Sequence, residues 1–126
     1  MTPQPVGDVP DVLFHIALAS DWAAAQEVGE YRVSTLGLTL GEVGFIHTSY
    51  PGQVPATADR FYADVAEPLV LLRIDPARLG CEVRVEEVAP GGECFPHIYG
   101  PIPVEAVVSA APFGREPGQG FLRPEP

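Results

Sequence analysis

The chain has 126 residues, of which 46% are hydrophobic, a length that fits one domain around one core. Its net charge is −10, with seven arginines and no lysine, which argues against a binder of long nucleic acid, because that affinity comes largely from cationic side chains that meet phosphates. The absence of lysine also excludes Schiff-base chemistry and a Walker-type phosphate loop. No apolar run is long enough to cross a bilayer, and the first ten residues lack the basic start and apolar core of a signal peptide. We therefore expect a cytoplasmic protein that binds neither long nucleic acid nor a membrane.

Prolines are concentrated at the two ends of the chain. Three lie within the first ten residues and four within the last fifteen, a composition typical of segments with little order of their own. We predict flexible tails over residues 1–10 and 114–126, and a single domain over residues 11–113.

The first half of the chain predicts two strands separated by a helix. Residues 12–18 alternate between two faces, which is a strand signal. Ser20 is predicted to cap the helix that follows, and Gly29 is predicted to end it. Residues 30–44 predict a short extended piece and a weak helical turn or loop, and residues 45–49, FIHTS, predict the second strand.

The second half of the chain predicts a helix followed by three strands. Residues 51–65 carry apolar side chains at helical spacing, and Pro55 is tolerated only in the first turn, where its missing N–H costs nothing. The proline-rich segment FPHIYGPIP, at 95–103, is interpreted as a loop. The three strands are predicted over residues 69–75, 82–88 and 104–110. Strands gathered in the second half, with segregated helices, indicate an α+β fold.

Three histidines stand beside predicted strands or prolines. A single histidine is usually structural, a half-buried ring with one nitrogen bonded to a carbonyl. Here His15 shares its predicted strand face with Ala17, and His47 shares its face with Ser49. A polar ring with small neighbours suits the wall of a cleft. We therefore predict that His15, His47 and His97 gather around one cleft.

Other chemistries for these residues are less well matched by the spacing. A three-histidine metal site would need the three imidazoles to converge, and the sequence offers neither H-x-H nor H-E-x-x-H. Serine hydrolysis at Ser49 lacks the G-x-S-x-G elbow, and His47 on the same strand face is held parallel to it. Arg60 is typical of a solvated surface arginine, or alternatively of a contact with a pyrophosphate or carboxylate, which its planar fork suits.

Five segments carry a resemblance to a known family over about residues 12–112. They are LFHIA, GFIHTS, RFYADV, EPLVLLRIDPARL and FPHIYGPIPVEAVV. Together they resemble a small uncharacterised protein family, found in bacteria and plants, that is catalogued as domain of unknown function nine-fifty-two. The pairing of GFIH-x-S with FPH-x-YG-P is quite specific to that family. The resemblance implies kinship and brings no established activity.

A second, remote resemblance concerns the order of the segments. It is similar to that of the ADP-ribosyltransferase fold, especially its RNA 2′-phosphotransferase and DNA-modifying toxin branches. HIA at residues 15–17, HTS at residues 47–49, PLVLLRIDPARL and PIPVEAVV stand at the corresponding places. This resemblance implies an α+β, ADP-ribosyltransferase-like architecture of two bent, mixed or antiparallel sheets with flanking helices.

The same resemblance assigns roles to individual residues. His15 would hydrogen-bond a ribose hydroxyl of NAD, and Glu105 would match the catalytic glutamate. The chain departs from the pattern where Ala17 replaces a threonine. It also lacks the N-terminal lobe of the RNA 2′-phosphotransferases. Those enzymes need an arginine late in the fold, and here no arginine lies between Arg84 and Arg115. Removal of an RNA 2′-phosphate is therefore not expected.

We predict that the cleft binds a nucleotide-like small molecule of the NAD or ADP-ribose type. The predicted catalytic residues are Glu105 and His47, for ADP-ribosyl transfer or NAD glycohydrolysis through an oxocarbenium-like species. NAD is a candidate substrate, and no other cofactor is predicted. Two alternatives stay open, a non-enzymatic domain that binds another ligand or a protein, and a metal-dependent enzyme. The predicted ligand-binding residues are His15, Ser49, Arg60, Tyr62, His97 and Tyr99.

Overall fold

The computed structural model describes residues 11–35, 37–87 and 92–114. Within these ranges the chain forms ten strands, three α-helices and three 3-10 turns. The strands are β1 Leu13–Leu18, β2 Glu30–Tyr31, β3 Val33–Thr35, β4 Leu38–Thr39, β5 Ile46–His47, β6 Leu69–Ile74, β7 Val83–Glu87, β8 Cys94–Ile98, β9 Ile102–Pro103 and β10 Val107–Phe113. The α-helices are α1 Ala19–Val28, α2 Leu40–Val43 and α3 Val54–Tyr62, and the 3-10 turns are Pro51–Gln53, Pro76–Arg78 and Val104–Ala106.

The strands pair into four small antiparallel sheets within the described ranges. Two have three strands, ordered β1-β6-β10 and β5-β8-β7, and two are the pairs β2-β9 and β3-β4. The α+β class predicted from the sequence is therefore confirmed. None of the helices in the part of the chain that the structure describes has the length and apolarity of a membrane span.

The side chains of strand β1 point alternately into two hydrophobic clusters, and His15 is its one polar residue. Leu13 and Ala17 belong to one hydrophobic cluster together with Trp22 and Ala25 of α1. Phe14 and Ile16 belong to a second cluster on the opposite side, which includes Val54, Ala58 and Tyr62 of α3. Strand β1 thus lies between two helices with both of its faces buried, whereas the edge strand β10 is mostly exposed.

The helix ends follow simple stereochemistry. Gly29 ends α1 as predicted, with a left-handed φ of 96° that a glycine adopts without strain, and its N–H donates to the carbonyl of Ala25. Ser20 is not the N-cap, because α1 begins at Ala19 and Leu18 precedes it without a side-chain cap. Pro55 lies in the first turn of α3, where a proline is tolerated.

The main difference from the sequence prediction concerns FPHIYGPIP. Its first part is not a loop but belongs to β8, which is the central strand of β5-β8-β7. Prolines are normally found at sheet edges, since they donate no ladder hydrogen bond. Here the carbonyl of Pro96 accepts hydrogen bonds from the backbone N–H and the hydroxyl of Thr48, at 3.1 and 2.6 Å. That pair of bonds ties Pro96 to the neighbouring segment.

Other predicted elements are present with shifted ends. The strand predicted over 45–49 is reduced to β5, and Ser49 instead forms an isolated antiparallel bridge to Phe14. The strand predicted over 104–110 begins with a 3-10 turn and continues as β10. The tails predicted over residues 1–10 and 114–126 lie outside the described residues, except for Gly114.

Candidate functional site

One large cleft opens beside the sheet β5-β8-β7, with a volume of about 500 Å³. Strand β8 positions its floor, because alternate residues of a strand share a face. Phe95, His97 and Tyr99 all line the cleft, whereas Pro96 and Ile98 are buried away from it. Cavities of this size are typical of small-molecule sites.

Aromatic rings form much of the wall. The ring of Phe45 stacks on His97, with centroids 4.0 Å apart and planes 18° apart. Phe95 lies 5.0 Å from the ring of His47, and Phe61 of α3 approaches the same ring at 6.3 Å. Phe61 is 42% exposed, so it borders the cleft where solvent enters. The walls therefore offer flat apolar surfaces for a planar ligand.

His97 is paired with a carboxylate at the bottom of this cleft. Its Nδ1 lies 2.9 Å from Oε1 of Glu86, and the hydroxyl of Tyr99 donates to the same oxygen. Partial burial favours the neutral acid, but the hydrogen bonds from Tyr99 and His97 outweigh it and lower the pKa of Glu86. An ionised carboxylate only accepts, so Nδ1 of His97 carries a proton. In the neutral ring, Nε2 is then an acceptor.

His47 is the cross-strand neighbour of His97. The two residues are register partners of β5 and β8, and their ring centroids are 5.5 Å apart. Burial, together with His97, His15 and Arg60, lowers the pKa of His47 to about 3, which keeps the ring neutral near physiological pH. Nε2 of His47 and Nε2 of His97 are both buried without a hydrogen-bond partner among the described residues.

The third histidine lies behind the cleft and has no free nitrogen. His15 is 3% exposed. Its Nδ1 donates to the carbonyl of His47 at 2.7 Å, and its Nε2 accepts from the hydroxyl of Tyr31 at 2.8 Å. Burial lowers its pKa to about 4, although the bond to His47 opposes this. The strand face that carries His15 and Ala17 is therefore packed core and not the cleft wall predicted from their sizes.

Two other predicted ligand contacts lie beside His15. Ser49 and Tyr62 are buried, and with His15 they line a separate cavity of only about 10 Å³, room for roughly one water. The hydroxyl of Ser49 is 3.3 Å from that of Thr57, and the hydroxyl of Tyr62 donates to the carbonyl of Ile16. These side chains hold β1 and α3 together beneath the cleft.

The remaining predicted residues divide between the cleft and the outside. Arg60 and Tyr99 line the cleft with His47 and His97. Glu105 does not; it is exposed in the 3-10 turn Val104–Ala106, and its backbone carbonyl accepts from Arg78. The structure thus gathers two of the three histidines with Arg60 and Tyr99, and supplies Glu86 as a carboxylate within the cleft.

The histidines do not form a three-ligand metal cluster. Within residues 11–35, 37–87 and 92–114, no group of three or more His, Cys, Asp or Glu side chains is arranged to hold a metal ion. Both ring nitrogens of His15 are already hydrogen-bonded. Only His47 and His97 would therefore be left as histidine ligands for a metal ion.

Glu86 and the phenylalanines were missed in the sequence. Glu86 belongs to the strand predicted over residues 82–88, and no motif in that strand distinguishes it from the neighbouring glutamates. Its contact with His97 runs diagonally across β7 and β8, since the register partner of His97 is Arg84. The alternation of Phe95, His97 and Tyr99 is the sequence signal that could have identified the cleft wall. Interpreting residues 95–103 as a loop left that signal unused.

The chain is related to known proteins both in sequence and in structure. The sequence profile of a family described as "Protein of unknown function (DUF952)" matches residues 16–110. The chain is similar to the crystal structure of protein CC0527 from Caulobacter crescentus, with 29% identity and a TM-score of 0.73, covering 88% of this chain and 93% of that chain. The solution NMR structure of CC0527 gives 29% identity and a TM-score of 0.70, covering 89% and 91%. No curated protein matches the chain.

Proposed function

The chain belongs to the DUF952 family, and we propose that its cleft binds a nucleotide-like small molecule of the NAD or ADP-ribose type. One observation carries the proposal: aromatic walls enclose His47 and His97, and each has a buried Nε2 with no partner among the described residues. Leaving a buried polar atom unpaired costs about 1–3 kcal/mol. A ligand that supplies a hydrogen bond to either nitrogen would recover part of that cost.

The chemistry of a nucleotide matches the lining. A base or nicotinamide ring has flat apolar faces that can stack on phenylalanine rings such as Phe45 and Phe95. Ribose hydroxyls both donate and accept, so they can pair with a neutral imidazole. Arg60 is exposed at the cleft, and its guanidinium can fork onto a phosphate. The volume of about 500 Å³ is sufficient for a nucleoside-sized group.

The architecture proposed for the chain is a single ADP-ribosyltransferase-like domain over residues 11–113. The order of elements supports it: β1 with His15 precedes α1, β5 with His47 precedes α3, and β6 follows. Support for one domain comes from the larger core cluster, whose members run from Leu13 to Ala106.

If the bound ligand is turned over, the proposed chemistry uses Glu86 and His97 rather than Glu105. Cleavage of the N-glycosidic bond would leave its electron pair on the nicotinamide and positive charge on the ribose. The carboxylate of Glu86 would stabilise that charge. The oxygen of a water or acceptor hydroxyl would then bond to the ribose carbon, and its proton would pass to Nε2 of His97.

Calorimetric titration with NAD and with ADP-ribose tests the binding proposal. We expect saturable binding with one site, and Phe61→Ala should weaken it by about tenfold through loss of a stacking surface. Val28→Ala is the matched control, because Val28 is 76% exposed and does not line the cleft. Failure of both ligands to bind at about 1 mM would overturn the proposal.

The second candidate function is a domain that binds a ligand without converting it. Leu38 and Phe61 favour it, since both line the cleft and are 45% and 42% exposed, giving it an apolar rim suited to recognition. Nicotinamide release from NAD distinguishes the two. NAD that binds but is not consumed favours this candidate, whereas steady release that is lost in His97→Ala favours the enzyme.

A further inference from the structure

The charges that line the cleft are unequal in number. Glu86, Glu87 and Glu93 all contribute to the lining, and among its described residues Arg60 alone is cationic. Arg84 lies close by, with its guanidinium 4.4 Å from the centroid of Tyr99. Arg84 is not part of the lining, and it pairs with Glu82 at 2.6 Å. The electrostatic potential of the cleft is therefore negative on the side of β7 and β8.

Two of these carboxylates are held in place by other side chains. Glu86 accepts from His97, which is 4% exposed, and from Tyr99. Glu93 accepts from the side-chain amide of Gln53 at 3.1 Å, and the same amide donates to the carbonyl of Cys94 at 2.9 Å. Hydrogen bonds of this kind fix where the negative charge sits. The negative charge of these two carboxylates is therefore held at a defined place in the cleft by hydrogen bonds.

The unpaired nitrogen of His97 is an independent sign that a ligand group belongs here. His97 lines the cleft, and its Nε2 is buried without a partner among the described residues. Phe45 and Phe95 flank the same place. Aromatic faces attract cations through the negative face of the ring, so rings and carboxylates favour the same sign of ligand charge.

We propose that the cleft selects a positively charged planar heteroaromatic ring, bound against Phe45 and Phe95 near Glu86, with any phosphate of the ligand directed toward Arg60. This rests on the proposed function and specifies the charge of the ligand. It favours NAD over ADP-ribose, which has no cationic ring. It also disfavours NADH, whose nicotinamide ring is uncharged.

Three small rings of nearly equal shape test the charge directly: nicotinate is an anion, nicotinamide is neutral, and 1-methylnicotinamide is a cation. We expect 1-methylnicotinamide to bind about tenfold more tightly than nicotinamide in an NMR titration, and nicotinate to bind least. Equal affinities, or tighter binding of the anion, would overturn the proposal. So would failure of all three rings to bind.

Charge variants separate a local effect from the net charge of the protein. The double variant Glu87→Gln, Glu93→Gln should reduce the preference for the cation severalfold. The double variant Glu27→Gln, Glu67→Gln changes the net charge equally at exposed positions outside the cleft. It should leave the preference unchanged, and a loss of preference in both variants would contradict a site-specific origin.

Nucleotide titrations distinguish this inference from the function on which it rests. If NAD, NADH and ADP-ribose bind equally, the proposed function stands and the charge selection is wrong. If none of them binds while 1-methylnicotinamide still binds in preference to nicotinamide, the charge selection stands and the nucleotide proposal is wrong. Binding of NAD alone supports both.

Discussion

Glu86 and His97 are joined across β7 and β8 by a hydrogen bond of 2.9 Å, although they are not register partners. The register partner of His97 is Arg84, and that of Glu86 is Phe95. Diagonal neighbours of an antiparallel pair are within reach of long side chains, and glutamate and histidine use that reach here. The consequence is chemical, because Glu86 fixes which ring nitrogen of His97 carries the proton.

Replacement of Glu86 by glutamine should release that constraint. The glutamine can still occupy the space, but it no longer provides an ionised acceptor for His97 and Tyr99. We expect the ¹⁵N shifts of the His97 ring to change from the Nδ1–H form toward a mixture. The free energy of unfolding should fall by about 1–2 kcal/mol. Glu87→Gln is the control, since Glu87 is exposed and should change stability by less than about 0.5 kcal/mol. Unchanged ring shifts in Glu86→Gln would contradict the assigned pairing.

Tyr31→Phe tests the structural role of His15. The substitution removes only the hydroxyl that donates to Nε2 of His15 and leaves a buried acceptor unpaired. We expect a loss of about 1–3 kcal/mol in urea unfolding. Tyr99→Phe removes a hydroxyl from the half-buried cleft, where water can replace it, so its cost should be smaller. A loss in Tyr31→Phe no larger than that in Tyr99→Phe would contradict the buried hydrogen bond between Tyr31 and His15.

The stability of the protein should fall as the pH is lowered from 7 to 5. In the folded state His15 and His47 have pKa values of about 4 and about 3, whereas an unfolded histidine titrates near 6.5. The unfolded chain therefore binds more protons in this range, and lowering the pH favours unfolding. Each histidine should contribute about 2 kcal/mol over that interval. Urea midpoints measured across the interval check this.

His47→Gln is the matched variant for this pH dependence. It removes one of the two depressed groups and should reduce the slope of stability against pH by about half. A wild-type protein equally stable at pH 7 and pH 5 would contradict the neutral, buried state of both rings.

Gly100 is predicted to tolerate no side chain. A Cβ atom at this position would lie 2.7 Å from Cβ and 2.9 Å from Sγ of Cys81, and a Cβ cannot rotate away. Gly100→Ala should therefore destabilise the protein by about 1–3 kcal/mol in thermal or urea unfolding. Gly80→Ala is the control, because a Cβ there meets no atom within 4 Å. Equal stability of the two variants would contradict the close packing at Cys81.

Local sequence signals predicted the elements that depend on local stereochemistry or on simple periodicity. Gly29 ends α1 because the left-handed conformation suits glycine, and the alternation of residues 12–18 predicted a strand. The same alternation could not tell cleft from core. The small side chain of Ala17 allows close packing against α1 as readily as it allows a pocket.

The parts that could not be predicted depend on contacts between distant segments. Pro96 suggested a loop, and its place in a central strand becomes understandable only with Thr48, 48 residues away, donating to its carbonyl. Glu86 and His97 meet because of the register of β7 against β8, and no local sequence pattern specifies the register between two strands. The resemblance matched Glu105 to a catalytic glutamate, but the residue lies in the 3-10 turn Val104–Ala106, outside the cleft.

An NMR chemical-shift map of the protein titrated with NAD shows directly where the nucleotide binds. Binding in the cleft predicts that the largest shifts fall on its lining, at His47, Phe61, Phe95 and Tyr99, with a saturable dependence on NAD concentration. His15, behind the wall, should show smaller changes. Shifts concentrated on the sheet β1-β6-β10, or no shifts at about 1 mM NAD, would contradict the assignment of this cleft as a nucleotide-binding site.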